Sequence, residues 1–243
     1  GAQFADAGFT GIVNVFESEY GGFCTTFSRS TDRFRLDGLT EGLGTEWQTM
    51  GVRLKFYSCN GSIHSTLDAI RDLQAQRPFG PGDVERIVVH ASHTLFTHVG
   101  WKYVPLGLTS AQFSLAYCVA TWLLEGEVFV DQFTEDKLTD PARVSLSEKV
   151  RVVHDPEITA RGSKYRQMVR VEVYLNDGTR LERVLETSNR KKQLASEAEV
   201  IGKFENLASH VLPKAQIEQL RDATMNLEKL SDASQIARLM AQS

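Results

Sequence analysis

Residues 47–70, WQTMGVRLKFYSCNGSIHSTLDAI, change hydrophobic period in the middle and set polar groups at the change. Val52, Leu54 and Phe56 alternate with Arg53, Lys55 and Tyr57, the period of two expected of a strand with one buried face. Ile63, Leu67, Ile70 and Leu73 then recur at steps of four, three and three, which is a helix stripe. Between them lies Ser58-Cys59-Asn60-Gly61-Ser62, whose residue types suit a sharp turn followed by an N-cap. His64 is therefore expected in the first helical turn.

That position matters for chemistry. The first N–H groups of a helix lack internal partners and carry the positive end of the dipole, so they attract anions. Lys55 would add a point charge, and His64 could exchange a proton near neutral pH. The plainer alternative is a solvated strand lysine and a polar histidine on an exposed helix face.

Working outward, Gly1 to Phe27 reads as a short helix and a loop, and residues 28–46 as a connection. Gly38-x3-Gly42-x-Gly44 has neither the GKS/T ending nor the preceding strand of a phosphate loop. Val84 to His90 is a buried strand, giving with the preceding strand and helix a βαβ-like unit. His90, His93 and His98 follow in what reads as a loop. Their spacing raises metal binding as a possibility, without the helical i, i+4 pair or cysteine set of a strong motif. Thr109 to Glu125 reads as one buried core helix ended by Gly126, too short and too polar at Gln112 to cross a membrane. A short helix follows from Asp131. Asp140-Pro141 starts another, through residue 149. Arg151 to His154 is a brief strand, and Met168–Leu175 and Thr179–Leu185 flank the hairpin turn Asn176-Asp177-Gly178. Ser196-x-x-Glu199 is a capping box opening a helix, Pro213 starts the next, and residues 231–240 form a third. The apolar stripe of these helices predicts burial against a partner.

The hydrophobic fraction of 42%, charged fraction of 24% and net charge of −4 exclude general disorder and general affinity for nucleic acid. An anionic ligand must then be drawn by local charge. The three cysteines lack CxxC spacing, so reduced thiols in a cytoplasmic setting are the expectation.

The run Lys55-x-Tyr57-x-Cys59 through His64 to Asp68-Ala69 resembles a segment of the MmgE/PrpD family, which includes methylcitrate dehydratases, cis-aconitate decarboxylases and an epimerase. Further stretches match in order. They are Gly8-Phe9-Thr10-Gly11 with Glu17 and Gly21-Gly22-Phe23; Ala111 through Tyr117; Asp131 to Thr134; Asp140-Pro141; Lys149 to Val152; and Asp155-Pro156. The resemblance covers only the second half of a family member. It implies that a large N-terminal helical domain, which completes the site, is missing, and that this chain alone is inactive.

The fold implied is α+β: residues 1–45 as the end of a helical domain with a connecting segment, 46–188 as a lid domain with a mixed or antiparallel sheet, and 189–243 as helices returning to the all-α domain. The function implied is a cofactor-free lyase in the cytoplasm. It would dehydrate or decarboxylate a small di- or tricarboxylate by proton abstraction beside a carboxylate. Lys55, His64 and Tyr117 take the catalytic roles, Asn60, Ser62 and Gln112 bind substrate, and no metal takes part. A homodimer is expected, with no nucleic-acid or membrane partner. At Asn60 the family's decarboxylases carry histidine and many dehydratase-like members arginine, so the acid stays unnamed. The alternatives are a non-catalytic carboxylate-binding or regulatory module, and an isomerase or epimerase of the same family.

Overall fold

The computed structural model describes residues 1–189 and 195–241. The chain divides into two compact units, Gly1–Val52 and Arg53–Ser243. The first holds helices α1 (Ala2–Asp6) and α2 (Phe23–Ser28) among turns, and none of its described apolar side chains is buried. Arg29 closes α2 in the left-handed region at φ 52°, a position where glycine is the usual residue.

The second unit contains the core. Helix α3 (His64–Gln76) leads to strand β1 (Val84–Ala91), followed by α4 (His93–Val99), α5 (Leu108–Gln112), α6 (Leu115–Glu125), α7 (Glu135–Leu138) and α8 (Pro141–Glu148). Then come β2 (Val150–His154), α9 (Pro156–Ala160), β3 (Val169–Leu175), β4 (Arg180–Leu185), α10 (Glu197–Ala208), α11 (Lys214–Met225) and α12 (Ser234–Met240). The sheet order is β2-β1-β3-β4, with β1 and β2 parallel and the other pairs antiparallel. The α+β class with a mixed sheet therefore holds.

The period of two in the strands decides which face is buried. Val84, Ile87, Val89 and Ala91 of β1 lie in register with Leu175, Val173, Val171 and Val169 of β3, and all eight are buried. Helix α3 lies on β3 and β4, and α6 packs on α3, α8 and β2. The predicted stripe Ile63, Leu67, Ile70 and Leu73 is completely buried. The other sheet face carries charge. Glu172 stands directly opposite Glu182, a like-charge pair that Arg180 bridges at 2.8 and 2.6 Å. Arg170 and the Tyr174 hydroxyl also donate to Glu172, and although burial raises its carboxyl pKa, these partners hold it below its usual value.

Four expectations are corrected. Residues 52–57 form no strand, so no βαβ-like unit forms with α3 and β1. Leu54 and Phe56 are half-buried and Arg53 and Lys55 exposed, as the alternation implies, but Tyr57 is buried at 5% exposure and Val52 is 65% exposed. Tyr57 turns inward because its hydroxyl donates to buried Asp68 of α3 at 2.8 Å. The helix foreseen over 109–125 is two. Ser114 stops α5 and caps α6, its hydroxyl accepting from the Tyr117 N–H. The loop of histidines contains helix α4, capped by Ser92 through the Leu95 N–H. Lastly, the N-cap position of α3 is Ile63, with no side-chain cap; Asn60 instead accepts from the Ser62 N–H at 2.9 Å, an Asx-type turn.

The turns at Asp140-Pro141, Asp155-Pro156 and Ser196-x-x-Glu199 form the caps that their residues predict. Among the described residues, no helix is long and apolar enough to cross a membrane.

Candidate functional site

Residues 57–60 form no strand or helix and are bonded to Val128 on one side and to the end of α5 on the other. The Ser58 N–H donates to the Val128 carbonyl and the Asn60 N–H to the Gln112 carbonyl, both at 2.9 Å, while the Gln112 amide returns a bond to the Ser58 carbonyl at 3.1 Å. These bonds satisfy the backbone without a neighbouring strand. They also draw Lys55, Asn60 and Gln112 to one cavity of about 360 Å³. Phe113, Phe129, Val130 and Leu207 supply its apolar wall.

Each carboxamide spends one atom on the loop: Asn60 its Oδ1 on the Ser62 N–H, Gln112 its Nε2 on the Ser58 carbonyl. An amide donor on Asn60 and an amide acceptor on Gln112 are left for a ligand.

The wall also includes a residue that the sequence reading missed. Lys203 of α10 lines the cavity, and its Nζ donates to the Lys55 carbonyl at 2.6 Å. Burial, then the charge of Lys55, pushes the Lys203 ammonium below its usual pKa. In the sequence Lys203 sits three residues after Val200 and four before Leu207, on one helix stripe with them, but the period does not say what that stripe packs on. Among the described residues, no carboxylate lines this cavity.

The remaining expected site residues lie elsewhere. Ser62, His64 and Tyr117 are not in the cavity wall. His64 is 5% exposed behind it, its ring edge-on to Tyr57 with centroids 5.1 Å apart, and its Nε2 has no hydrogen-bond partner. Cys59 stands between, lining the cavity. Burial pushes its thiol up, but bonds with Cys118 and His64 and the charges of His64 and Lys55 outweigh that and bring it down to about 6. Cys118, deeper in the core, is raised by burial and by Cys59.

Tyr117 is completely buried, its hydroxyl donating to the Gln132 carbonyl at 2.8 Å and its ring packed on Tyr103 and Phe133. Burial raises the phenol well above its usual pKa. The Gln132 side chain in turn accepts from the Phe129 N–H, so Tyr117 holds the turn that carries Phe129 and Val130 into the cavity.

The loop histidines are spread out. His90 faces Glu172 at 3.5 Å, and His93 packs its ring on His154. Among the described residues, no group of three or more His, Cys, Asp or Glu is placed to hold a metal ion.

Residues 57–229 match the MmgE/PrpD C-terminal domain, the segment that holds every residue of the cavity wall except Lys55. The chain belongs to the MmgE/PrpD family. Among curated relatives of this MmgE/PrpD chain is a cis-aconitate decarboxylase-like protein of Aspergillus oryzae, 32% identical over 251 residues, covering 99% of this chain and 52% of the relative. A cis-aconitate decarboxylase of Aspergillus terreus is 27% identical over 99% of this chain and 51% of its own length. One of Mus musculus is 27% identical over 78% of this chain and 39% of its own. The chain thus spans about half the length of the fungal relatives it matches.

Proposed function

We propose that this chain supplies the lid half of a cofactor-free MmgE/PrpD lyase that decarboxylates or dehydrates a small di- or tricarboxylate. The observation that carries the reading is the cavity of about 360 Å³ in which Lys55, Asn60 and Gln112 converge with no carboxylate among the described residues of the wall. A substrate carboxylate seats against the Lys55 ammonium and the Asn60 amide. The same cation stabilises charge that develops when carbon dioxide or hydroxide leaves, an interaction that strengthens in the transition state.

In the decarboxylating case the C–C bond to one carboxylate breaks, carbon dioxide departs, and the electron pair left on carbon takes up a proton. The names of the relatives favour that case. His64, whose Nε2 has no hydrogen-bond partner among the described residues, is the proton-exchanging group in this reading. Tyr117 is a positioning residue acting through the Gln132 turn. The same reading places the enzyme in the cytoplasm as a homodimer working with a helical half.

A second reading, a carboxylate-binding module without turnover, is favoured by one observation: among the described residues, neither an imidazole nor a carboxylate lines the cavity. Incubating the chain together with the helical half of a family member, with cis-aconitate and with hydroxy-diacids, and following carbon dioxide release and alkene absorbance, separates the two. Turnover that Lys55→Met abolishes supports the lyase. Calorimetric binding without turnover supports the module, and neither binding nor turnover overturns both.

A further inference from the structure

The cavity carries two cations where one carboxylate needs one. Lys203 approaches from α10, far along the chain from Lys55, and its one hydrogen-bond partner among the described residues is the Lys55 carbonyl at 2.6 Å. An ammonium has three donors. One is spent on that carbonyl, leaving two on a group that lines the cavity. Glu199, one turn earlier on α10, has its carboxylate engaged by the Ser196 N–H and hydroxyl in the capping box.

Bringing two ammonium groups to one partly desolvated wall is unfavourable: burial first, and then the charge of Lys55, holds the Lys203 ammonium below its usual pKa. The cost is relieved when a ligand brings negative charge. One carboxylate neutralises one lysine; a second anionic group is needed for the other.

Resting on the carboxylate-lyase reading above, we infer that Lys203 is a specificity residue: it binds the second carboxylate of the substrate, so that α10 selects di- and tricarboxylates over monocarboxylates. Lys55 takes the carboxylate next to the reacting carbon. The apolar wall of Phe113, Phe129 and Leu207 accommodates the carbon skeleton between them.

The test is a pair of titrations on the full chain, with cis-aconitate and with the monocarboxylate crotonate, for wild type, Lys203→Met and Lys203→Arg. Lys203→Met is expected to raise the dissociation constant for cis-aconitate about tenfold and to change that for crotonate less than about twofold, so the discrimination collapses. Lys203→Arg, which keeps the charge, restores most of it. A purely structural tether to the Lys55 carbonyl would lower the melting temperature and leave the ratio of the two constants unchanged. A folded Lys203→Met protein with that unchanged ratio overturns the inference, while cis-aconitate binding by wild type leaves the lyase reading standing. Wild type that binds neither acid overturns both.

Discussion

At the residue scale, Glu125 shows how charge is held around the site. It accepts from Lys137, Gln132 and Arg143, and Arg143 is 3% exposed with Nε and Nη1 otherwise unpartnered. Burial raises the Glu125 carboxyl, but its three donors outweigh that and lower it from 4.5 to about 2. A carboxylate depressed in the folded state contributes stability that is complete above its unfolded pKa and fades as pH falls towards the folded one. Glu125→Gln is therefore expected to cost about 2 kcal/mol at neutral pH, by leaving Arg143 uncompensated. The difference in urea midpoint between the two proteins should shrink steadily as pH falls from about 4.5 towards 2. Tyr117→Phe should cost about 1 kcal/mol through the lost bond to the Gln132 carbonyl. If Tyr117 only positions the wall, the pH profile of kcat/KM keeps its shape in that variant; loss of one limb would make the phenol an acid in the reaction.

At the element scale, α3 is the part that organises the site, and Asp68 is its anchor. Fully buried, it accepts from the Tyr57 hydroxyl, the Ser188 hydroxyl at 2.5 Å and the Asn189 N–H at 2.9 Å, with Arg71 at 3.4 Å. It thus ties the cavity segment on one side and the chain after β4 on the other. Asp68→Ala is expected to destabilise by about 3 kcal/mol or more, read from denaturant midpoints, because two hydroxyls and an N–H lose their acceptor together. The same residue explains what the sequence could and could not reveal. The α3 stripe, the β3–β4 hairpin and the capped helix starts at Asp140 and Ser196 follow from spacing and turn chemistry within a few residues of chain, and they are legible in the sequence. The segment 52–57 has a clean alternation, yet Tyr57 is drawn inward by an acceptor eleven residues on, and the backbone bonds of Ser58 and Asn60 that follow it end on Val128 and Gln112. No local pattern encodes that. Of the residues expected at a site, Lys55, Asn60 and Gln112 line the cavity, whereas Lys203 enters through a helix packing that period alone does not locate.

At the scale of the whole molecule, the two units differ in what holds them. The Arg53–Ser243 unit has a continuous core from Tyr57 to Leu185, built on α3, α6 and the sheet. Within Gly1–Val52, Phe9, Ile12, Val13, Tyr20 and Phe27 are each 70% exposed or more, and no described apolar side chain is buried. Backbone hydrogen bonds that no packed side chains cover open at little cost, while those beneath a core open only with global unfolding. Native-state hydrogen exchange on the isolated chain is accordingly expected to be fast throughout residues 1–52, at rates close to those of an unfolded peptide, and slowest in β1, β3 and α3. Addition of a protein that covers the exposed aromatic residues should slow exchange in 1–52 and leave β1 and β3 unchanged, because their protection already reflects the stability of a completed core. Strong protection of 1–52 in the isolated, monomeric chain would mean that those side chains are buried in solution after all, and the contrast between the two units would fall with it.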